Sequence, residues 1–346
     1  MSLPIHPDAQ EGRPSHSKAD FISGQDVRWC PGCGDYSILG AMQQTLAKFD
    51  LPTEKYVFIS GIGCSSRFPY YMKTYGMHSI HGRAPAIASG LRTVRDDLSI
   101  WVITGDGDGL SIGGNHILHV LRRNLDVNIV LVNNQIYGLT KGQYSPTSPV
   151  GQMTRSSPAG SIDYPVNPLC VAIASEATFI ARTFDQDPRH MGEIFARAMK
   201  HKGTSFIEVL QNCIVFNDKA HQSVVGRENR DERMIYLKHG QPLLWGKEGK
   251  KKAVRLKGLH PEAVDYDPAR EKEYLVHDET DPLPHTAYFL TQLLPPEFPV
   301  PFGVFRCIER PTYDELLNRQ IDEAKNKEGE GNLKDLIYGN DTWTVK

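Results

Sequence analysis

Nowhere in these 346 residues does an apolar run reach the roughly 18 residues that a membrane-spanning helix needs. Charge of one sign is lacking too. The 39 basic and 41 acidic side chains leave a formal net charge of −2, so no strong field favours nucleic acid or an anionic membrane as a partner. Cysteine is scarce: six residues, unevenly placed, cannot staple a chain of this length. The first residues are polar and proline-interrupted, unlike the basic-then-apolar layout of a secretory leader. A cytoplasmic enzyme is the expectation. A Walker A sequence is missing, and neither Gly61-Ile62-Gly63 nor Gly105-Asp106-Gly107 has the third glycine of a dinucleotide fingerprint. Nucleotide binding through those motifs is therefore set aside.

What is present is a normal globular balance, 40% hydrophobic and 23% charged. Short apolar runs at Lys55–Ser60, Ile100–Thr104, Val127–Val132, Ala177–Thr183 and Thr204–Leu210 alternate with helix-like segments. That alternation predicts an α/β fold with a mainly parallel central sheet flanked by helices. One helix is expected to be capped by Asp35, with Ile38, Met42, Leu46 and Phe49 on one face. A second carries Ala84, Ile87, Ala88, Leu91 and Val94, a third spans Gly114–Arg123, and Asp187-Pro188 opens a fourth. Thr140–Val166 reads as a long functional loop. Three regions follow: an arm at 1–20, a ligand-binding domain at 21–220 closing near Phe216, and an irregular, partner-contacting C-terminal extension at 221–346.

Four of the six cysteines suggest a common site. Cys30 and Cys33 form a C-x-x-C knuckle, and Cys64 and Cys213 each lie just beyond a predicted strand. In one parallel sheet those strand ends can converge and bring four thiolates together, a set that suits structural zinc or a [4Fe–4S] cluster. A redox pair at Cys30 and Cys33 alone is the third reading. Cys170 and Cys307 lie in apolar segments and read as ordinary buried thiols.

A second constellation follows the next two strands. Asp106 sits between Gly105 and Gly107, and Asn134 follows the neighbouring strand. A carboxylate, an amide oxygen and the backbone carbonyl of Ile136, with two phosphate oxygens, would complete an octahedral shell for Mg²⁺. The two glycines let backbone approach a diphosphate, and the helix after Gly113-Gly114 can aim its N-terminal amides at it.

Together these segments resemble the beta subunit of a 2-oxoacid:ferredoxin oxidoreductase, most closely the 2-oxoglutarate type. The likeness rests on WCPGCG at 29–34, GIGCSSR at 61–67, HGRA at 81–84, GDGD at 105–108 and NNQIYGLTKGQYSPTS at 133–148. It implies a thiamine-diphosphate-binding fold with Asp106, Asn134 and the Ile136 carbonyl on Mg²⁺. It also implies one [4Fe–4S] cluster on Cys30, Cys33, Cys64 and Cys213. Ser65, His81, Gly82, Arg83, Gly105, Gly107 and Asp108 would contact the cofactor or frame its pocket, with His81 in a catalytic position. Arg67, three residues after Cys64, would meet the distal carboxylate of 2-oxoglutarate.

The reaction so implied is oxidative decarboxylation of 2-oxoglutarate with coenzyme A to succinyl-CoA and CO₂, reversibly, a TCA-cycle step that reduces ferredoxin. No second module suited to the cofactor's pyrimidine ring is visible, so an alpha subunit is expected in an α₂β₂ heterotetramer. The alternatives are a pyruvate or branched-chain-acid enzyme of the same family, a non-redox thiamine-dependent decarboxylase or synthase, and a zinc-stabilised structural subunit. A basic run around Lys250–Lys252 offers a docking face for an acidic electron carrier or a merely solvated surface.

Overall fold

The structure, a computed structural model, describes residues 16–339 and 341–345. The expected N-terminal arm therefore lies outside the described residues except at 16–20. The strands are β1 (Tyr56–Ser60), β2 (Tyr75–His78), β3 (Ser99–Gly105), β4 (Asn128–Asn133), β5 (Phe179–Phe184), β6 (Ser205–Leu210), β7 (Met234–Tyr236), β8 (Leu244–Trp245), β9 (Lys252–Lys257), β10 (His260–Asp265) and β11 (Val300–Cys307). Eight of them form one sheet in the order β2-β1-β3-β4-β6-β5-β11-β7, and β10-β9-β8 form a small second sheet. From β2 to β5 every pairing is parallel, whereas β11 runs antiparallel to β5.

Side-chain alternation assigns the two faces of the large sheet. Val57 and Ile59 of β1, Ile100 and Val102 of β3, and Ile129 and Leu131 of β4 join one core. The helices Ala84–Val94, Gly114–Arg123, Pro168–Ala174 and His285–Thr291 cover that face with Ala88, Ile117, Leu121, Leu169 and Leu290. Tyr56, Phe58, Trp101, Ile103, Val130 and Val132 point the other way, against the helices Asp35–Leu46 and Pro188–Lys200 through Ile38, Met42, Leu46, Met191 and Phe195. Strands covered on both sides read as near-continuous apolar runs; β1, β4, β5 and β6 are buried at every residue, and the charged exceptions Arg182 and Glu208 pair with each other.

Three local expectations need correction. Gly34, not Asp35, holds the cap position; Asp35 is the first helical residue and is buried. Val94 lies at the helix end, 74% exposed, so the apolar face stops at Leu91. The sheet does not end near Phe216, because β7 and β11 belong to it. The apolar run Val300–Arg306 is buried residue by residue, which is why it pairs with β5. Beyond it, the helix Tyr313–Glu328 is opened by a Thr312–Glu315 capping box. Asp314 in its first turn accepts from Arg92 Nε at 2.9 Å, while Arg92 Nη2 donates to Asp126 at 2.9 Å. Among the described residues, no helix is long and apolar enough to cross a membrane.

Candidate functional site

Parallel pairing brings the carboxyl ends of β1, β3, β4 and β6 to one rim, the place where open α/β sheets bind ligands. A cavity of about 110 Å³ lies there, lined by Ile62, Cys64, Ser65, His81, Gly105, Asp106, Gly107, Asp108, Asn134, Ile136 and Tyr137, among others. Gly107 is required for steric reasons: a Cβ there would stand 2.1 Å from the Tyr137 ring. The Tyr137 hydroxyl donates to the Gly107 carbonyl at 3.2 Å, so the glycine turn and the loop after β4 close on each other.

Asp106 is buried, and burial pushes its carboxyl above the usual carboxylate range. Two hydroxyls offset that cost. Ser145 Oγ donates to Asp106 Oδ2 at 2.6 Å and Thr147 Oγ1 at 2.5 Å. Thr147 also stands 2.9 Å from Asn133 Oδ1; Asn133 donates to Glu208 at 2.8 Å, and Arg182 donates to the other Glu208 oxygen at 2.7 Å. Both hydroxyls share the Oδ2 oxygen, and backbone N–H groups of Asp106 and Gly107 also favour the charged carboxylate. Asn134 Oδ1 accepts from the Ile136 N–H at 3.2 Å, with Gln135 between them at φ 56°. This tight turn presents Asn134 and Ile136 to the same cavity.

Asp108 has a different surrounding. Its Oδ1 accepts from the backbone N–H of Ile62 at 3.1 Å and of Gly82 at 2.8 Å, and its Oδ2 accepts from Thr104 Oγ1 at 2.7 Å. It ties the GIGC and HGRA loops to β3. His81 Nδ1 lies 3.4 Å from Asp108 Oδ1, with the ring half-exposed. Arg83 sends Nη1 to the carbonyls of His81 at 3.5 Å and Ile112 at 3.4 Å and stays outside the cavity lining. The expected helix start at Gly114 is preceded by a wide π-turn at Asp108–Ile112, so the helical backbone nearest Gly105 begins at Asp106 itself.

The cysteines gather on the same rim. Gly138 separates two of them: a Cβ there would stand 3.4 Å from Cys213 Sγ and 3.7 Å from Cys64 Sγ. The Cys30–Cys33 knuckle closes with the Cys33 N–H on the Cys30 carbonyl at 3.0 Å. Gly32, at φ +84°, packs so tightly on Ile214 that a Cβ would meet it at 2.9 Å. Burial, reinforced by Asp35, Cys213 and Cys30, pushes Cys64 up to about 11, and burial with Asp35 and Cys213 drives Cys33 upward too. Cys64 is thus within electrostatic reach of Cys30 and Cys213, and Cys33 of Cys213. Among the described residues, no three His, Cys, Asp or Glu side chains converge on a single ion. Cys170 and Cys307 lie apart and are half-buried, not enclosed as expected. Cys170 Sγ instead lies 3.1 Å from Thr291 Oγ1.

Residues 61–209 match the thiamine pyrophosphate enzyme family, C-terminal TPP binding domain. The 2-oxoglutarate oxidoreductase subunit KorB of Mycobacterium tuberculosis is 49% identical over 329 residues, 94% of this chain and 88% of that one. This chain belongs to the beta subunits of the 2-oxoacid:ferredoxin oxidoreductases. A 2-oxoacid:ferredoxin oxidoreductase beta subunit of Saccharolobus solfataricus is 44% identical over 60% of this chain and 68% of its own. The fold is that of a solved 2-oxoglutarate:ferredoxin oxidoreductase from Magnetococcus marinus with 2-oxoglutarate, coenzyme A and succinyl-CoA bound. That comparison has a TM-score of 0.75 and 30% identity and covers 97% of this chain and 99% of that one.

As a family beta subunit, the chain contributes one part of an oxidoreductase. Sequence reasoning placed Ser65, His81, Gly105, Asp106, Gly107, Asp108, Asn134 and Ile136 at the diphosphate and metal site and Cys64 in the cysteine set, and all nine line this cavity. It does not put Arg67, Gly82 or Arg83 on the lining. Arg67 is half-buried and makes no ion pair among the described residues, while its charge acts on Cys64 and His78. The residues sequence reasoning missed are Ser145, Thr147, Asn133 and Tyr137. All four lie inside the quoted 133–148 motif, but only folding shows that its hydroxyls serve Asp106.

Proposed function

We propose that this chain, with an alpha subunit, oxidatively decarboxylates 2-oxoglutarate with coenzyme A and passes the electrons to ferredoxin. One observation carries the reading: Cys64 and the pair Asp106 and Asn134 line a single cavity. A diphosphate–metal site and a thiol set that close together suit a reaction in which electrons leave the substrate singly. When bound, thiamine diphosphate supplies the nucleophilic carbon and electron sink for a 2-oxoacid, and a [4Fe–4S] cluster takes up one electron at a time.

The residues present fit both groups. Asp106 and Asn134 offer hard oxygen donors for Mg²⁺, with the Ile136 carbonyl beside them. Gly105 and Gly107 keep the backbone bare for a diphosphate. Ser65 and His81 are on the wall, and Asp108 holds Gly82 and Ile62 in place. Cys30, Cys33, Cys64 and Cys213 are the cluster ligands. Each iron of such a cluster would take its own thiolate, so four sulfurs spread around a volume would suit it better than the point convergence that zinc needs. The missing side chain at Gly138 leaves room between two of those sulfurs.

Arg67 binds the distal carboxylate of the substrate. A half-buried guanidinium with no carboxylate partner among the described residues is costly, and a dicarboxylic 2-oxoacid supplies that partner where pyruvate does not. An alpha subunit closes the other side. The loop that gives Leu139 and Thr140 to the cavity also carries Val150, Met153, Ile162 and Tyr164, which are 54%, 75%, 86% and 89% exposed, and such surface is usually covered by a partner.

The test is turnover by the anaerobically purified complex with its alpha subunit. Expected are succinyl-CoA and reduced viologen or ferredoxin from 2-oxoglutarate and coenzyme A, with a higher kcat/KM than for pyruvate. Free aldehyde without acceptor reduction would indicate the non-redox reading, and a higher kcat/KM for pyruvate would overturn the substrate. Zinc in place of iron would sink the cluster.

A further inference from the structure

Beside the four cysteines stands a buried side chain that neither the motifs nor the cavity lining include. Gln211, at the end of β6, is 1% exposed. Its Nε2 lies 3.2 Å from Cys33 Sγ and 2.8 Å from the Asn212 carbonyl oxygen. The Asn212 contact fixes which way the amide faces, because the opposite orientation would set two oxygens against each other at that distance. In this orientation Oε1 is buried with no hydrogen-bond partner among the described residues. Leaving half a buried amide unsatisfied is costly, a cost that a leucine would avoid. The compensating feature is the N–H aimed at sulfur.

We propose that Gln211 is a positioning and tuning residue for the iron–sulfur site: its amide N–H donates to the Cys33 thiolate and raises the reduction potential of the cluster. This rests on the assignment of Cys33 as a cluster ligand. A thiolate bonded to iron has no proton and is a pure acceptor, so the contact becomes a charge-assisted hydrogen bond. Reduction adds one electron, and part of that charge resides on the sulfurs. A donor therefore stabilises the reduced state more than the oxidised one, and hydrogen bonds to sulfur are among the terms that set cluster potentials. The Asp35 backbone N–H also points at Cys33, so the amide adds to a donor the helix start already supplies. The effect is to make the cluster an easier acceptor for electrons released at the neighbouring cavity.

The test is a mediated anaerobic redox titration of the complete complex, followed by EPR and absorbance, for wild type, Gln211→Leu and Gln211→Met. Neither replacement has a donor, and methionine keeps the length of the side chain. At the potential where wild type is half reduced, the reduced-to-oxidised ratio should fall about tenfold in both variants, a shift of roughly 59 mV for one electron. Iron content should be unchanged. A wild-type midpoint in an iron-replete variant overturns the proposal. Loss of iron from both variants in a folded chain also overturns it, making Gln211 a strut for assembly instead. Wild-type complex purified anaerobically without iron would refute the cluster assignment itself, a failure visible before any variant is made.

Discussion

The carboxylate of Asp108 accepts the backbone N–H of Gly82 at 2.8 Å, joining the turn after β3 to a loop 26 positions earlier in the chain. The same oxygen takes the Ile62 N–H, and Thr104 takes the other. A carboxylate read in sequence as a direct cofactor contact therefore also ties together three loops of the cavity wall. Asp108→Ala leaves two backbone donors without their charged acceptor. A loss of about 3 kcal/mol in unfolding free energy is expected, measured by urea denaturation. Gly82 tolerates no replacement, since a Cβ there would stand 2.4 Å from the Gly113 nitrogen.

Ser145 and Thr147 both donate to the Oδ2 oxygen of Asp106. Removing Asp106 with Asp106→Ala should abolish Mg²⁺-dependent thiamine diphosphate binding while the chain stays folded. Thr147→Val keeps shape and loses one hydroxyl. It should weaken binding about tenfold, the equivalent of one hydrogen bond, in a calorimetric titration with Mg²⁺ and the cofactor.

Arg67→Ala should separate the two candidate substrates. If Arg67 holds the distal carboxylate as proposed, its removal should lower kcat/KM for 2-oxoglutarate by about a hundredfold, some 2.7 kcal/mol. Pyruvate has no such group, and its kcat/KM should change less than about tenfold. Steady-state kinetics on both substrates with one acceptor makes the comparison. Equal losses would show that Arg67 supports structure instead of recognition.

Three imidazoles, His277 buried and His190 and His221 half-buried, set the acid side of stability. His190 pairs with Thr183 at 2.8 Å, His221 Nε2 donates to the Asn133 carbonyl at 3.0 Å, and His277 Nε2 donates to the Val304 carbonyl at 2.8 Å. Burial lowers all three below the ordinary histidine value. The folded state then binds fewer protons than the unfolded one. The stability contributed by the neutral rings is fully present above about pH 6.5 and is lost as pH falls through the folded values. Urea midpoints should therefore drop between about pH 7 and pH 5, and His277→Gln should flatten part of that slope.

Much of this was legible in the chain because it depends on local pattern. Strands buried on both faces are largely apolar, so β1, β3, β4, β5 and β6 showed themselves within a residue or two. The motif residues came to one rim because parallel pairing leaves their strand ends no other place. Contacts between distant segments were not legible. That β11 returns to pair with β5 follows from an apolar run with no local sign of its neighbour. That Thr147 serves Asp106, or Gln211 faces Cys33, depends on how a loop without regular structure lies over the rim. Arg83 failed to reach the cavity for a similar reason: its guanidinium is engaged by nearby carbonyls.

The central claim is that one cavity couples a thiamine diphosphate site to the four-cysteine set. The most direct measurement is the visible absorbance of the cluster in the anaerobic complex with the alpha subunit, followed as 2-oxoglutarate and coenzyme A are mixed in. The account predicts bleaching that requires 2-oxoglutarate, accompanies succinyl-CoA formation and reverses on adding oxidised ferredoxin. An iron-replete complex that forms product while its absorbance stays constant would contradict it.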